Sequence, residues 1–418
     1  MILQVDTMRI YNTVIVGGGA SGILAAIYLN DSNSILLEKN NILGKKMLIT
    51  GGGRCNITNN SSFNEYMKCY YNSGNYYRQA FTNFFNEDII RLLEDNDCMT
   101  KVEENNRVFP ISDDSKTVVT TLVNILKKSD TPFELNAKVV NITKEDDCFI
   151  IEYNDKHVKS RNVILSTGSC SYPKTGSNGD GYVFAKKLGH DIPENMGGLC
   201  PVEIEEKWIT RFQGITMDVN LEIKADNKRI VKDYASLLFT HKGLSGHSIL
   251  DNSMKIESNI RKKRKVSVFI DFADDYSYEQ LDKTLQDDFK SNPKKHLKVY
   301  LHKYLPKNMT SIFLEAIGID DKTLNQTTKQ DRIGIRDNLK RLQLTIKRVC
   351  LEDAIVENSG IRQKEVDPNT FESKIVPGLY VTGELIEGCG ICGGFNLQKA
   401  FSTGVLAACS IKGRHLND

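Results

Sequence analysis

The sequence contains no apolar run approaching the roughly 18 residues that a membrane-spanning helix needs, so membrane insertion is not expected. It also lacks a regular cysteine framework. Ten cysteines are scattered through 418 residues, and no charged-then-apolar leader precedes the first predicted strand, which together point to a reduced, cytoplasmic protein. Met1 to Arg9 reads as an extension, with Met8 an equally good start. The seven histidines show no metal-ligand spacing, so no metal is expected. No internal repeat or low-complexity tract is visible, which excludes a solenoid. Net charge is only +2, too little by itself to imply nucleic acid or membrane.

What is present is globular in character. An apolar fraction of 40% and a charged fraction of 26% argue against disorder, and the length argues for two or three domains. Charge is unevenly spread: between Ile192 and Cys350, 28 Lys+Arg stand against 22 Asp+Glu. That region holds the run Arg261-Lys262-Lys263-Arg264-Lys265, expected to be a solvated hairpin or strand edge, with a phosphate-facing patch as the alternative.

The chain opens Thr13-Val14-Ile15-Val16, then a glycine cluster, then Ile23 to Leu29, then Ser34 to Glu38, which predicts strand, tight turn, buried helix and strand. Asn59 to Asn83 has no clean period and predicts loops and short helices, while Glu87 to Asp95 and Thr117 to Lys128 carry helical spacing. Asn136 to Thr167 reads as an antiparallel meander returning to a buried strand, Val163 to Leu165. Strands are predicted at Met217 to Ile223 and Lys265 to Phe272, followed by helices at Ser277 to Lys290, Lys298 to Leu305 and Thr310 to Ile317. The end returns to strand, glycine loop and helix from Gly378 to Ile411.

Gly17-Gly18-Gly19-Ala20-Ser21-Gly22 fits G-x-G-x-x-G at a strand-to-helix turn. There Gly17 permits the turn, Gly19 admits a phosphate to the backbone, and Gly22 lets helix pack on strand. The free N–H groups of Ala20 and Ser21 then face a pyrophosphate. Glu38, 21 residues beyond Gly17, is placed to take a ribose hydroxyl. This unit alone does not separate FAD from NAD. The decision comes from Thr167-Gly168 after the buried strand, and from Gly383-Glu384 followed by Gly394-Phe395-Asn396-Leu397. A long cofactor needs such a second anchoring point for its ribityl chain and ring, and a helix start near Asn396 favours negative charge on a reduced flavin.

The chain resembles the BaiN/RdsA-type flavoproteins. The resemblance lies in Leu43 to Asn56, Arg107 to Asp113, Ser171 to Tyr182, Leu238 to Gly246 and Lys364 to Thr403, and so runs from end to end. It implies an α/β fold: an FAD-binding, Rossmann-like domain of the glutathione-reductase type with an inserted β-barrel-like plus helical region. The expected division is 1–191 and 351–418 for the FAD domain, and 192–350 for the insert, with helices about 277–335. Lys39, Lys45, Gly52, Gly53, Arg54, Cys55 and Val139 complete the expected cofactor lining. Arg54 is weighed against a solvent salt bridge, and Cys55 against simple packing. One departure stands out: members often carry Gln-Trp-Ala-Trp in the last helix, where this chain has Gln398-Lys399-Ala400-Phe401.

Three residues are candidates for chemistry. Cys392, with Cys389, forms a C-x-x-C ahead of a helix, read as a structural loop in preference to a redox dithiol. His241 and Tyr172 are candidate proton donors, since saturating an enone or uracil adds hydride at one carbon and a proton at its neighbour. Packing is the alternative for both. The resemblance implies reduction of a conjugated C=C bond, in a small enone or a uracil of ribosomal RNA, with NADH or NADPH as electron donor. An amine oxidase is a second possibility, and an RNA- or protein-binding flavoprotein with structural FAD a third.

Overall fold

The computed structural model describes residues 9–193 and 197–413, so the predicted extension, apart from Arg9, lies outside the described residues. Contacts divide the chain into two compact units, Met1–Gly198 with Ala354–Asp418, and Leu199–Asp353.

In the first unit the predicted βαβ forms as strand Ile10–Val16, helix Ala20–Leu29 and strand Ser34–Leu37. Val14, Ile15, Ile23 and Leu24 are fully buried, the pattern of a parallel strand and helix covered on both sides. The helix stops at Asn30, which takes the left-handed conformation (φ 43°) that asparagine tolerates at a helix end. Parallel strands run in the order Phe133–Glu134, Ser34–Leu37, Ile10–Val16, Lys156–Leu165. Lys156–Leu165 is shared. Its first half closes the expected meander, pairing antiparallel with Cys148–Tyr153, which pairs with Val139–Glu145. Its second half, Val163 to Leu165, pairs in parallel with Leu379–Val381. The last 65 residues thereby supply a strand to a sheet begun at residue 10, and the unit is discontinuous in sequence.

The closing helix, Phe395–Lys412, packs on Ala20–Leu29 at Gly404, where an added Cβ would overlap the Ser21 carbonyl. The stretch from Asn59 to Asn83 does form short helices, Phe63–Lys68 and Arg78–Asn83. With the turns around them these helices carry more than loops would: Tyr66, Tyr70, Tyr77, Phe81 and Phe84 are all at most 1% exposed. Rings of Tyr66 and Phe395 meet edge to face at 4.6 Å, and the Tyr70 hydroxyl donates to the Phe395 carbonyl at 2.5 Å.

The second unit is built on a closed antiparallel barrel. Its order is Val202–Ile204, Gly243–Ser245, Lys228–Phe239, Thr216–Ala225, Val266–Asp271 and Leu342–Val349. Helices Tyr278–Ser291 and Lys307–Ala316 follow as the spacing predicted, with the segment between them shortened to Leu297–Tyr300 and a further tight turn, and a further helix, Lys329–Arg341, forms that the spacing did not single out. Two expectations change. His247–Arg261 is a 15-residue helix, burying Ile249, Leu250, Ser253 and Ile256. The basic run is accordingly no hairpin: Arg261 ends that helix, bonded to Glu257 one turn back, and Lys262 to Lys265 turn the chain into strand Val266–Asp271. No described helix is long and apolar enough to cross a membrane.

Candidate cofactor and active site

Ligands of open parallel sheets bind outside the carboxyl ends of the strands. In the first unit those ends are Val16, Leu37, Leu165 and Val381, and the residues that follow them are Gly17, Glu38, Ser166 and Thr382. Gly17 (φ +106°) turns so tightly that a Cβ would lie 2.6 Å from the Ser166 carbonyl oxygen. At Gly22 a Cβ would overlap the Gly17 carbonyl itself. Both glycines are therefore required by the backbone. Gly19 differs: its added Cβ would meet no protein atom within 4 Å, and the same is true of Gly52 and Gly53. Two glycine loops thus flank open space, one at the start of helix Ala20–Leu29, where unsatisfied N–H groups favour a phosphate. Space beside backbone donors is what a dinucleotide pyrophosphate fits.

Glu38 is buried (7% exposed) and accepts from the Gly18 N–H at 2.7 Å and from the Asn40 N–H at 2.7 Å, which fixes its carboxylate at the strand end. Lys39 is engaged by Asn178 and Asp180, both at 2.6 Å. Among the described residues Lys45 reaches only the Asn40 side chain, at 3.3 Å. Its neighbour Lys46, which the sequence reading passed over, donates to Glu384 and Ser171, both at 2.6 Å. Val139 and Phe395 are core residues, while Thr167 and Leu397 are half-buried. Gly168 holds φ +73° at the end of its strand. Ser21 faces inward, bonded to the Thr382 hydroxyl at 2.5 Å, and Gly383 donates to Thr403 at 2.9 Å. Gly394 leads into the closing helix, where a Cβ would overlap the Thr58 carbonyl.

Three further expected lining residues are otherwise occupied. The Arg54 guanidinium stacks 4.1 Å over Phe109 and pairs with Asp113 and Glu103, so it sits in the salt bridge weighed against a pyrophosphate role. Cys55 is fully buried, and burial pushes its thiol up to about 12, which makes it a packing residue. Asn396 spends its side chain on Gly390, accepting from the N–H at 2.8 Å and donating to the carbonyl at 2.9 Å; it thereby fixes the Cys389 to Cys392 loop. All ten cysteines are thiols.

Around Glu384 a polar cluster forms that no local pattern announced. Ser169 and Ser171 hydroxyls lie 3.0 Å apart, Ser169 donates to Glu384 at 3.3 Å, and the Lys46 ammonium stands 5.8 Å from the ring centre of Tyr172. Tyr172 is 41% exposed, and its backbone is held left-handed (φ 56°), an uncommon state for a bulky residue that the surroundings must enforce. Partial burial, with Glu384 nearby, raises its phenol above the ordinary value, so it keeps its proton at neutral pH. His241 belongs to the second unit, in the exposed turn before Gly243–Ser245. As to metals, Cys350, Glu352 and Asp353 bring ligand atoms within 4.8 Å, but Lys242 and Arg348 already pair with those carboxylates.

The residue that replaces the family tryptophan is unusual. Lys399 is 2% exposed and donates to the Ile386 carbonyl at 2.9 Å and to that of Gly388, with its ammonium 4.8 Å from the Tyr77 ring centre.

The HI0933-like protein Rossmann domain model matches residues 11–410. The chain is 28% identical over 403 residues to the 3-dehydro-bile acid delta(4,6)-reductase of Clostridium scindens, covering 94% of this chain and 97% of that protein. It is 26% identical over 407 residues to the ribosomal RNA dihydrouridine synthase of Escherichia coli, covering 95% and 96%. Among solved structures it superposes on an open flavocytochrome c3 fumarate reductase with TM-score 0.53 (14% identity, 98% of this chain, 79% of that one). It superposes equally, at 0.53, on 3-ketosteroid delta1-dehydrogenase from Sterolibacterium denitrificans (12% identity, 97% and 100%). The fold is that of these flavoenzymes, and FAD is the cofactor that the glycine cradles fit. By a match over nearly its whole length, the chain belongs to the HI0933-like Rossmann family of FAD-dependent oxidoreductases.

Proposed function

We propose that this protein saturates a C=C bond conjugated to a carbonyl, in a small enone or in a pyrimidine ring of RNA, using electrons from NADH or NADPH in the cytoplasm. The observation that carries the reading is the Lys46, Glu384, Ser171 and Tyr172 cluster beside the strand ends that precede the glycine cradles. Both curated relatives bear names for this chemistry, one a delta(4,6)-reductase of a 3-dehydro compound and one a dihydrouridine synthase.

FAD, when bound, would supply the hydride chemistry that links the nicotinamide to the alkene. The remaining tasks fall to side chains. Gly19, Gly52 and Gly53 leave room for the pyrophosphate, and Glu38 stands at the strand end where a ribose hydroxyl is met. Adding hydride to an enone places negative charge on its oxygen and calls for a proton on carbon. Tyr172 holds such a proton. Lys46, itself fixed by Glu384, offers a cation that favours negative charge on either the substrate oxygen or the phenolate left behind. Thiols throughout agree with a reducing compartment.

Tyr172→Phe is expected to lower turnover about 100-fold, the usual worth of a positioned acid, while FAD content and anaerobic reduction by NAD(P)H stay unchanged. His241→Gln, assayed alongside, decides between the two donors: a loss confined to that variant moves the role to His241. Rapid reaction of the reduced protein with oxygen, ahead of any enone turnover, would replace the reductase by an oxidase.

A further inference from the structure

On the second unit's barrel, alternate residues of each strand face outward. Along Thr216–Ala225, the residues Val219, Leu221, Ile223 and Ala225 fill the interior, which leaves Asn220, Glu222 and Lys224 outside. Register then sets the outer rows. Arg229 lies opposite Lys224; Lys232, Glu222 and Phe269 form the next row; Tyr234, Asn220 and Asp271 form the third. Beside these rows runs an open groove whose lining includes Arg229, Lys232, Phe269, Tyr278, Lys340 and Arg341.

Two properties single out this face. The first is aromatic exposure. Among the described residues only three Phe, Tyr or Trp residues stand well out into solvent, namely Tyr172, Tyr234 (60% exposed) and Tyr278 (38%), and the last two lie here. Phe269 joins them under the Arg341 guanidinium, 4.0 Å from its ring centre. The second is unspent charge. Glu222 is neutralised by Arg341 at 3.1 Å and Lys224 at 3.5 Å, and Asp271 by Lys340 at 2.6 Å. Arg229 and Lys232 are exposed and enter none of the ion pairs found among the described residues. The positive edge continues past the face. Asp226, in the turn before Lys228, bonds to Lys265 through both its N–H (2.7 Å) and its carboxylate (3.1 Å), which brings the basic run Lys262 to Lys265 against that turn.

Unpaired cations neutralise phosphates, and exposed rings stack on bases; interleaved on one sheet they suit a single strand, whose bases are free, and not a duplex, whose bases are stacked on each other. We infer that this outer barrel face docks single-stranded RNA. The inference rests on the reading that the reducible ring can be an RNA pyrimidine, and it gives that substrate a surface to hold it.

The test uses the full-length, FAD-loaded protein and a labelled single-stranded RNA 12-mer of mixed sequence, read by fluorescence anisotropy across a salt series, with a duplex of equal length beside it. The single strand is expected to bind more tightly, with affinity falling linearly in log salt. Arg229→Gln with Lys232→Gln should weaken binding at least tenfold at low salt and flatten the salt slope by about 1.4, since each single-strand phosphate contact contributes about 0.7. Tyr234→Ala should weaken binding about tenfold with the slope unchanged, and Tyr234→Phe should restore it. Equal binding by all variants, preference for the duplex, or no binding by the wild type would overturn the docking face. Reduction of a small enone, measured on the same proteins, separates the two claims. Enone turnover without RNA binding removes only the docking face. RNA bound through this face, with neither enone nor uridine reduced, removes the proposed activity and leaves the face standing.

Discussion

The glycine loops of the first unit and the outer barrel face of the second treat charge in opposite ways. Around the glycine loops nearly every charged side chain is already spent on a neighbour: Glu38 on backbone N–H groups, Lys39 on Asp180, Lys46 on Glu384, Arg54 on Asp113. What remains for a ligand is backbone and shaped space. On the barrel face Arg229 and Lys232 have no ion-pair partner among the described residues, and the rings of Tyr234 and Tyr278 are exposed. The difference matches two kinds of recognition. A cofactor of fixed shape is best met by groups fixed during folding, because nothing then has to be ordered on binding. A polymer of variable sequence is met by mobile cations whose contribution is electrostatic and therefore salt-dependent.

The largest effect expected comes from separating the two jobs of the glycines. Gly22→Ala sets a Cβ against the Gly17 carbonyl, backbone against backbone, and should destabilise the protein by about 3 kcal/mol. Gly19→Val points into open space from an ordinary extended backbone (φ −81°), so stability should change by no more than about 1 kcal/mol. Yet FAD should no longer copurify, since the valine fills the pyrophosphate path. Thermal melts paired with the flavin-to-protein absorbance ratio read both quantities. A Gly19→Val protein with its full flavin complement would show that the cradle lies elsewhere.

That glycine logic was legible because it is local. Strand, turn, helix and acid fall within about 30 residues, and their periodicities need no tertiary partner. The closing strand, Leu379–Val381, is only three residues long, but the glycines and helix around it marked its place. What stayed hidden depends on distant partners. The Tyr66, Tyr70 and Tyr77 cluster has no period of its own and takes its partners from about 300 positions away, Phe395 for Tyr66 and Tyr70, Phe371 and the Glu387 carbonyl for Tyr77. The partners of the Arg54 salt bridge could not be named because its acids, Glu103 and Asp113, lie on other segments. Lys45 was chosen over Lys46 because nothing in Gly44-Lys45-Lys46 says which ammonium turns inward. Helix His247–Arg261 was missed because its three large buried apolar residues are diluted by Ser, Asp, Asn and Lys.

Lys399 sharpens the comparison, being a cation of the first unit held by carbonyl oxygens in place of a carboxylate. Burial pushes its ammonium down from 10.5 to about 8, with Cys389, Glu384 and Glu387 opposing. The sign follows from proton counting. Between about pH 8 and 10.5 the unfolded chain binds more protons at this site than the folded one, so stability rises with pH across that window, and the penalty is fully present below it. Lys399→Met removes the titration. Urea denaturation at pH 7.5, 9 and 10 should show the wild type gaining on the variant by about 2 kcal/mol between the first and the last. Parallel curves would mean that the ammonium is better solvated than its burial implies.

The smallest effect is expected at Cys392. In a redox dithiol, sulfur is the working atom, and the loop must present both thiols to the cofactor. Here the loop's shape is set by other groups. Asn396 clamps Gly390 on both sides, the Cys389 N–H donates to Asn358 at 3.1 Å, and the Tyr77 hydroxyl donates to the Glu387 carbonyl at 2.6 Å. Cys389 is fully buried while Cys392 is half-buried, so the two thiols do not share one environment. Serine at 392 replaces sulfur by a smaller hydroxyl without touching any of those bonds. Cys392→Ser should therefore keep turnover within about twofold, a change below about 0.5 kcal/mol in the barrier. The dithiol alternative makes the opposite forecast: turnover collapses, and a long-wavelength charge-transfer absorbance, present in the wild type after two-electron reduction, vanishes in the variant. Anaerobic titration of both proteins with dithionite, followed by a single-turnover assay, decides between a loop held by hydrogen bonds and one that exists to carry sulfur.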